Sequence, residues 1–183
     1  MGLGPVKEGA MRCHPFLSGP RFALGILALL VIAPAWAGDP VAEYKAIKRS
    51  SLKGIESLDV IVLASEGDSG CRQVSEEQIQ TDVEARLREA GIRIGPGGAT
   101  YLFISTASVE ALEELLCGFA ISVELQQLVL LARDPQIVTF GMTWHQGGLG
   151  VAATSRQHEY LRQMLADIVD NFIVAYLEQN PKP

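Results

Sequence analysis

The sequence has no apolar run long enough to cross a bilayer. Its longest, Phe22 to Ala33, has 12 residues, whereas a transmembrane helix needs about 20. That length is typical of a signal peptide, as are the basic residue Arg21 before the run and the small-x-small triplet Ala35-Trp36-Ala37 after it. We expect cleavage after Ala37 and a periplasmic or secreted product. An uncleaved membrane anchor is the alternative, and the short run disfavours it.

Cysteine is scarce, with three residues in 183. Cys13 precedes the apolar run, so we expect no lipid anchor. Cys71 and Cys117 remain after processing, and an even count in an exported domain favours a disulfide. Neither belongs to a CxxC pair, and the nearest histidine, His145, lies far along the chain. The spacing therefore predicts no metal site and no cofactor.

Basic residues are too few for a nucleic-acid-binding protein. The chain has 15 lysines and arginines against 21 acids. Loss of the leader removes Lys7, Arg12, Arg21 and one acid, Glu8, which leaves 12 against 20, a net charge of −8. Such a surface repels phosphate backbones and anionic headgroups. We expect neither nucleic acid nor a stable membrane anchor among the partners.

Catalytic signatures are missing as well. There is no GxSxG elbow and no HExxH motif. The mature chain keeps two histidines, His145 near a predicted strand end and His158 at a predicted helix start. The sequence gives neither histidine a nucleophile nor an orienting group. We therefore predict that the protein is not an enzyme.

The remaining pattern predicts a signal peptide over residues 1–37, a lead-in segment over 38–53 and a single α+β domain over 54–180. Within the domain, periodicity and caps indicate the order β-α-β-β-β-α. A right-handed crossover makes the first two strands parallel, and short connections make the later ones antiparallel. We expect a two-layer fold, a four-stranded mixed sheet with both helices on one face. Cys71 and Cys117 then fall at the same end of the sheet, which predicts a bridge between them.

A glycine cluster is the first candidate site. Gly147, Gly148 and Gly150 are predicted to form a loop before the terminal helix, with Arg156 and His158 in its first turn. Backbone N–H groups and the helix dipole could there bind an anion. Glycines after a strand more often serve turn geometry alone.

An apolar surface is the second candidate. In the run from Leu128 to Leu131, strand alternation cannot bury all four side chains on one face. Leu128 and Leu130 therefore need a cover, which could be the segment 38–51, a partner subunit or a peptide. Trp144, predicted on one face with Val138, Phe140 and Met142, could extend this surface, although strand aromatics more often belong to the core.

The β-α-β-β-β-α order behind a signal peptide resembles the small periplasmic domains of the TolB amino-terminal and curli-assembly-lipoprotein kind. The helix exit at Gly91-Ile92 and the run from Trp144 to Asn180 also look like a family of uncharacterised exported bacterial α+β proteins. The likeness covers about residues 54–180 and is one of topology, since the chain lacks the lipobox of curli-type lipoproteins. It implies a periplasmic adaptor or envelope-assembly role and assigns no site residues.

These observations favour a non-catalytic periplasmic interaction or adaptor domain, associated with the envelope. Its partner would be another protein or a further copy of the chain. The alternative is a carrier that binds a small molecule or lipid between the sheet and the terminal helix.

Overall fold

The computed structural model describes residues 39–64, 71, 74–95, 99–111 and 115–181. The predicted leader and its cleavage site lie outside the described residues. No helix in the described part is long and apolar enough to cross a membrane. The elements, in chain order, are α1 (Pro40–Ser50), β1 (Asp59–Ala64), α2 (Glu76–Glu89), β2 (Thr100–Ala111), β3 (Leu116–Leu131), β4 (Asp134–Ala153) and α3 (Gln157–Gln179).

The four strands form one mixed sheet in the order β1-β2-β3-β4. β1 and β2 are parallel, and the two later pairs are antiparallel. The predicted α+β class and two-layer architecture are therefore confirmed. Both α2 and α3 pack on the same side of the sheet, where they bury the hydrophobic core.

Local sequence signals explain α2. The Ser75 side chain accepts a hydrogen bond from the Gln78 backbone N–H at 3.2 Å, which caps the first turn. Gly91 follows the helix at φ 82°, a conformation that favours glycine. The buried stripe repeats every four residues, as the sequence predicts: Ile79, Val83 and Leu87.

The core face takes its side chains from alternate strand positions. On β3 these positions run from Cys117 to Leu125, and each is at most 5% exposed. Phe172 of α3 is fully buried over them and meets Trp144 edge to face, with ring centroids 5.1 Å apart. The space between the sheet and α3 is thus filled by side chains.

The predicted loop at the glycine cluster is wrong. Gly147, Gly148 and Gly150 lie within β4 and pair with β3. Packing is the reason, because Gly148 and Gly150 face crowded side chains. An added Cβ at Gly148 would lie 2.6 Å from the Met164 sulfur, and one at Gly150 would lie 2.4 Å from Cζ of Phe119. These glycines admit close neighbours and do not mark a turn.

The predicted face of Trp144 is also wrong, because β4 contains a bulge. Leu125 pairs with Trp144 and Gln126 pairs with Met142, so Thr143 is left out of the pairing register, although its hydroxyl donates to the Leu125 carbonyl at 3.4 Å. One extra residue reverses the alternation. Trp144 therefore points into the core, whereas Met142 lies on the opposite face with Phe140 and Val138.

The predicted disulfide is confirmed. Cys71 and Cys117 are bridged, with their Cα atoms 5.9 Å apart and both side chains buried. The bridge closes a loop with a sequence separation of 46 residues. Loop-entropy arguments give such a bridge a stabilising contribution of up to about 4 kcal/mol.

The lead-in segment contains the helix α1, which attaches to the domain by its polar side. Lys48 donates to the His145 carbonyl and lies 4.9 Å from the Trp144 ring centroid. Partial burial there lowers the pKa of Lys48. Arg49 pairs with Glu178 at 3.2 Å. The apolar residues of α1 are exposed instead: Val41, Tyr44 and Ile47.

Candidate functional site

The face of the sheet opposite α2 and α3 forms the candidate site, and we call it the open face. None of the three described helices covers it. Ten of its large apolar side chains are exposed by 36% to 83%, although they belong to the same strands that build the core: Ile61, Leu63, Val109, Leu128, Leu130, Val138, Phe140, Met142, Leu149 and Val151. Tyr101 and Phe103, near the middle of the same face, are partly buried.

One end of the open face is a shallow trough. In the cross-strand rows, Ala107 lies beside Ala120 and Ser105 lies beside Ser122. Gly147 continues the second row on β4. Leu63 and Leu149 stand at the two sides of this small-residue floor, and the groove encloses about 920 Å³. The trough can accept bulky apolar groups without displacing a side chain.

The other end of the open face is a projecting hairpin. Thr100, the first residue of β2, pairs with Gln127, and the Leu128 N–H donates to the Ala99 carbonyl at 3.2 Å. Among the described strands, only β4 pairs with β3 beyond that point. We call residues 128–140 the arm. Every residue from Ala132 to Phe140 is exposed. Its open-face side chains are large: Leu128, Leu130, Val138 and Phe140.

Few charged side chains interrupt this surface. Among the described strand residues of the open face, the acids are Asp59 and Glu124, and the histidine is His145. Glu124 accepts hydrogen bonds from Ser122 Oγ at 3.0 Å and from Gln126 Nε2 at 3.4 Å. Most of the acids of this acidic chain therefore lie elsewhere.

Two of the three residues of the sequence-predicted interaction surface are exposed. Leu128 and Leu130 are 48% and 63% exposed on the open face. Trp144 is wrong as a surface residue, since it is 5% exposed and the bulge turns it towards Phe172. The lead-in helix α1 does not cover the two leucines, because it lies against α3 and the edge of β4.

The predicted anion site is not assembled. Gly147 and Gly148 pair with Ser122 and Ile121 in the sheet ladder, so they form no loop that could enclose an anion. Arg156 precedes α3 and pairs with Glu159 at 3.4 Å. His158 lines a separate groove between α2 and α3. Glycines, arginine and histidine therefore do not converge on one point.

The two histidines have different surroundings. His145 lies on the open face beside Glu124, not at a strand end, because β4 extends to Ala153. His158 lies in the first turn of α3 and is half-buried. Within the described ranges, no group of three or more His, Cys, Asp or Glu side chains is arranged to hold a metal. The open face is chemically suited to apolar contact.

The trough end of the open face was not predicted from the sequence. Leu149 and Val151 alternate with glycine and alanine, which is a strand signal, but the glycines favoured a loop. The chain matches no protein-family model and no curated protein. The resemblance to TolB-type and curli-type domains therefore stays a prediction, and the geometry carries the functional argument.

Proposed function

We propose that this chain is a non-catalytic, exported interaction domain that binds a protein through its open face. The observation that supports this proposal is the exposure of ten large apolar side chains on one face of the sheet. Monomeric soluble proteins rarely expose more than a few hundred Å² of contiguous apolar surface. At roughly 60–120 Å² each when fully exposed and an exposure of 36% to 83%, these side chains expose roughly 350–700 Å² between the arm and the trough.

The compartment belongs to the same proposal. The Cys71–Cys117 bridge suits an oxidising environment, and the sequence of residues 1–37 has the pattern of a removable leader. We propose a periplasmic adaptor role, associated with the envelope.

A lipid or small-molecule carrier is the second candidate, and the trough favours it over an interior site. The predicted position between sheet and terminal helix is occupied by Phe172, which is fully buried. A carried molecule would therefore bind in the trough, whose groove is open to solvent. The arm has no role in that function, whereas protein binding uses both ends of the face.

Site-specific photo-crosslinking in the producing cells tests the proposal. A photoreactive residue is placed at Leu130 or Leu149 on the open face, and at Gln163 or Glu77 on the helical side as matched controls. All four positions are exposed. We expect discrete protein adducts from the first pair and none from the second. Equal labelling of both pairs, or none, would refute protein binding, and a lipid-sized adduct confined to Leu149 would favour the carrier.

A further inference from the structure

We infer that the open face binds a second copy of this chain, so that the arm of each copy fills the trough of the other. This inference rests on the proposed function, since it names the partner of the same surface. On β3 the open-face side chains are large in the arm, at Leu128 and Leu130, and small in the trough, at Ala120 and Ser122. A surface with that polarity is complementary to itself when one copy is reversed end to end.

The register of the sheet fixes where the two copies meet. Leu130 and Ala120 are ten residues apart on β3, about 34 Å at 3.4 Å per residue. Leu125 lies midway between them. A two-fold axis between the two sheets, crossing the strands at the level of Leu125, exchanges these positions. Such an isologous contact closes at two copies.

The same operation matches three of the four large residues of the arm with small residues of the trough, whereas Val138 falls opposite Leu149. Leu130 falls opposite Ala120, and Leu128 falls opposite Ser122. On β4, Phe140 pairs with Leu128, and Gly147 pairs with Ser122. Phe140 therefore falls opposite Gly147, where the trough has no side chain. Face-to-face sheets pack about 10 Å apart, a gap that such pairs can fill.

The area that the two copies share suits a dimer of modest affinity. Under this two-fold, β3 and β4 overlap with their counterparts over about 13 residues each, whereas β1 and β2 overlap only near the axis, which gives roughly 500–600 Å² at about 3.4 Å per residue and 4.8 Å per strand. Interfaces smaller than the standard size of about 800 Å² per partner are typical of weak, reversible complexes. The dimer also covers the arm, which as a two-stranded ribbon is only marginally stable by itself in water.

Charge favours this face over any other for self-association. Two copies at −8 each repel one another, and the open face carries two of the acids, Asp59 and Glu124. Near the axis, Glu124 falls opposite Gln126 of the second copy, which is uncharged. The contact therefore brings no acid directly against another along β3.

The first test measures the mass of the processed chain, with its disulfide intact, by sedimentation velocity across a concentration series. We expect a dimer whose dissociation constant rises by about 100-fold or more in Phe140→Asp, because a buried charge replaces a central aromatic anchor. Val174→Asp on α3 is the matched control, since Val174 is similarly exposed at 57% against 51% for Phe140. Equal weakening by both variants would overturn the inference.

Thiol crosslinking tests the orientation of the two copies. A Leu130→Cys chain is mixed with an Ala120→Cys chain and treated with a short bismaleimide, with the native bridge kept oxidised. We expect mixed 130–120 products, read by mass spectrometry. Products joining 130 to 130 and 120 to 120 would overturn the arrangement, because they require an axis along the strands. Neither position is in the buried core, so both variants are expected to fold.

Different results would overturn the dimer inference and the proposed protein-binding function. A monomer at every concentration overturns the dimer, and the proposed function then stands if Leu130 and Leu149 still give adducts with another protein. If photo-crosslinking labels no protein from those positions, both proposals fall.

Discussion

The two faces of β3 differ although one stretch of chain builds both. The odd-numbered positions from Cys117 to Leu125 are at most 5% exposed under α3. The even-numbered positions begin with Leu116 and Gly118, pass through Ala120 and Ser122, and end with Leu128 and Leu130 in the arm. The first face is covered by its own chain, whereas no described helix covers the second.

This difference departs from the usual pattern of a half-exposed sheet. When one face of an antiparallel sheet meets water, its side chains are normally polar. Here Leu149 and Val151 are 83% and 70% exposed, and the floor beside them is alanine, serine and glycine. The open face is thus more apolar than the solvent-facing side of such a sheet normally is.

Truncating one large side chain on each face is expected to show the largest contrast. Phe172→Ala should lower the free energy of unfolding by about 3–5 kcal/mol, because it leaves a cavity against Trp144. Leu149→Ala should change it by less than about 0.5 kcal/mol. Urea unfolding in dilute solution, where self-association contributes nothing, measures both. Similar losses in the two variants would mean that the open face is buried within a single chain.

Removing the disulfide tests how much the Cys71–Cys117 bridge contributes to the stability of the domain. Replacing Cys71 and Cys117 by alanine should lower the free energy of unfolding by about 2–4 kcal/mol, because the unfolded chain regains the freedom of a long loop. Denaturant unfolding, compared with the bridged protein, measures the loss. The pattern of crosslinks at Leu130 should stay the same. An unchanged unfolding midpoint would contradict the stabilising role of the bridge.

Glycine substitutions give the finest comparison. Gly150→Ala places a methyl group 2.4 Å from the Phe119 ring on the core face. This substitution should lower the free energy of unfolding by about 1–3 kcal/mol, because the core is overpacked. Gly118→Ala on the open face meets Cγ1 of Val109 at 3.2 Å. Because Val109 is 64% exposed, its side chain can rotate away. The free energy of unfolding should therefore change by less than about 0.5 kcal/mol. Thermal unfolding of both variants measures the two losses of stability. A larger loss in Gly118→Ala than in Gly150→Ala would reverse the assignment of the two faces.

Features set by neighbours along the chain could be predicted from the sequence. The cap at Ser75 and the stop at Gly91 depend on groups within one helical turn, and both are confirmed. The disulfide could also be predicted, because the order of elements alone brings Cys71 and Cys117 to one end of the sheet. Exposed leucines at 128 and 130 followed from simple alternation.

Features set by distant contacts could not be predicted. Glycines at 148 and 150 signal a loop unless one knows that Met164 and Phe119 approach them. Strict alternation puts Trp144 on the same face as Met142, since nothing in the local sequence reveals that Thr143 is left out of the pairing register with β3. Half of the open face was missed for these two reasons.

The bulge at Thr143 also determines where β4 can tolerate a change in length. Loss of the codon for Thr143 would leave an uninterrupted ladder, since Met142 and Trp144 already pair with consecutive residues of β3. Loss of any one codon between Trp144 and Ala153 would instead invert the inward and outward sides of the residues beyond it. We therefore expect natural insertions and deletions in this strand to concentrate at position 143.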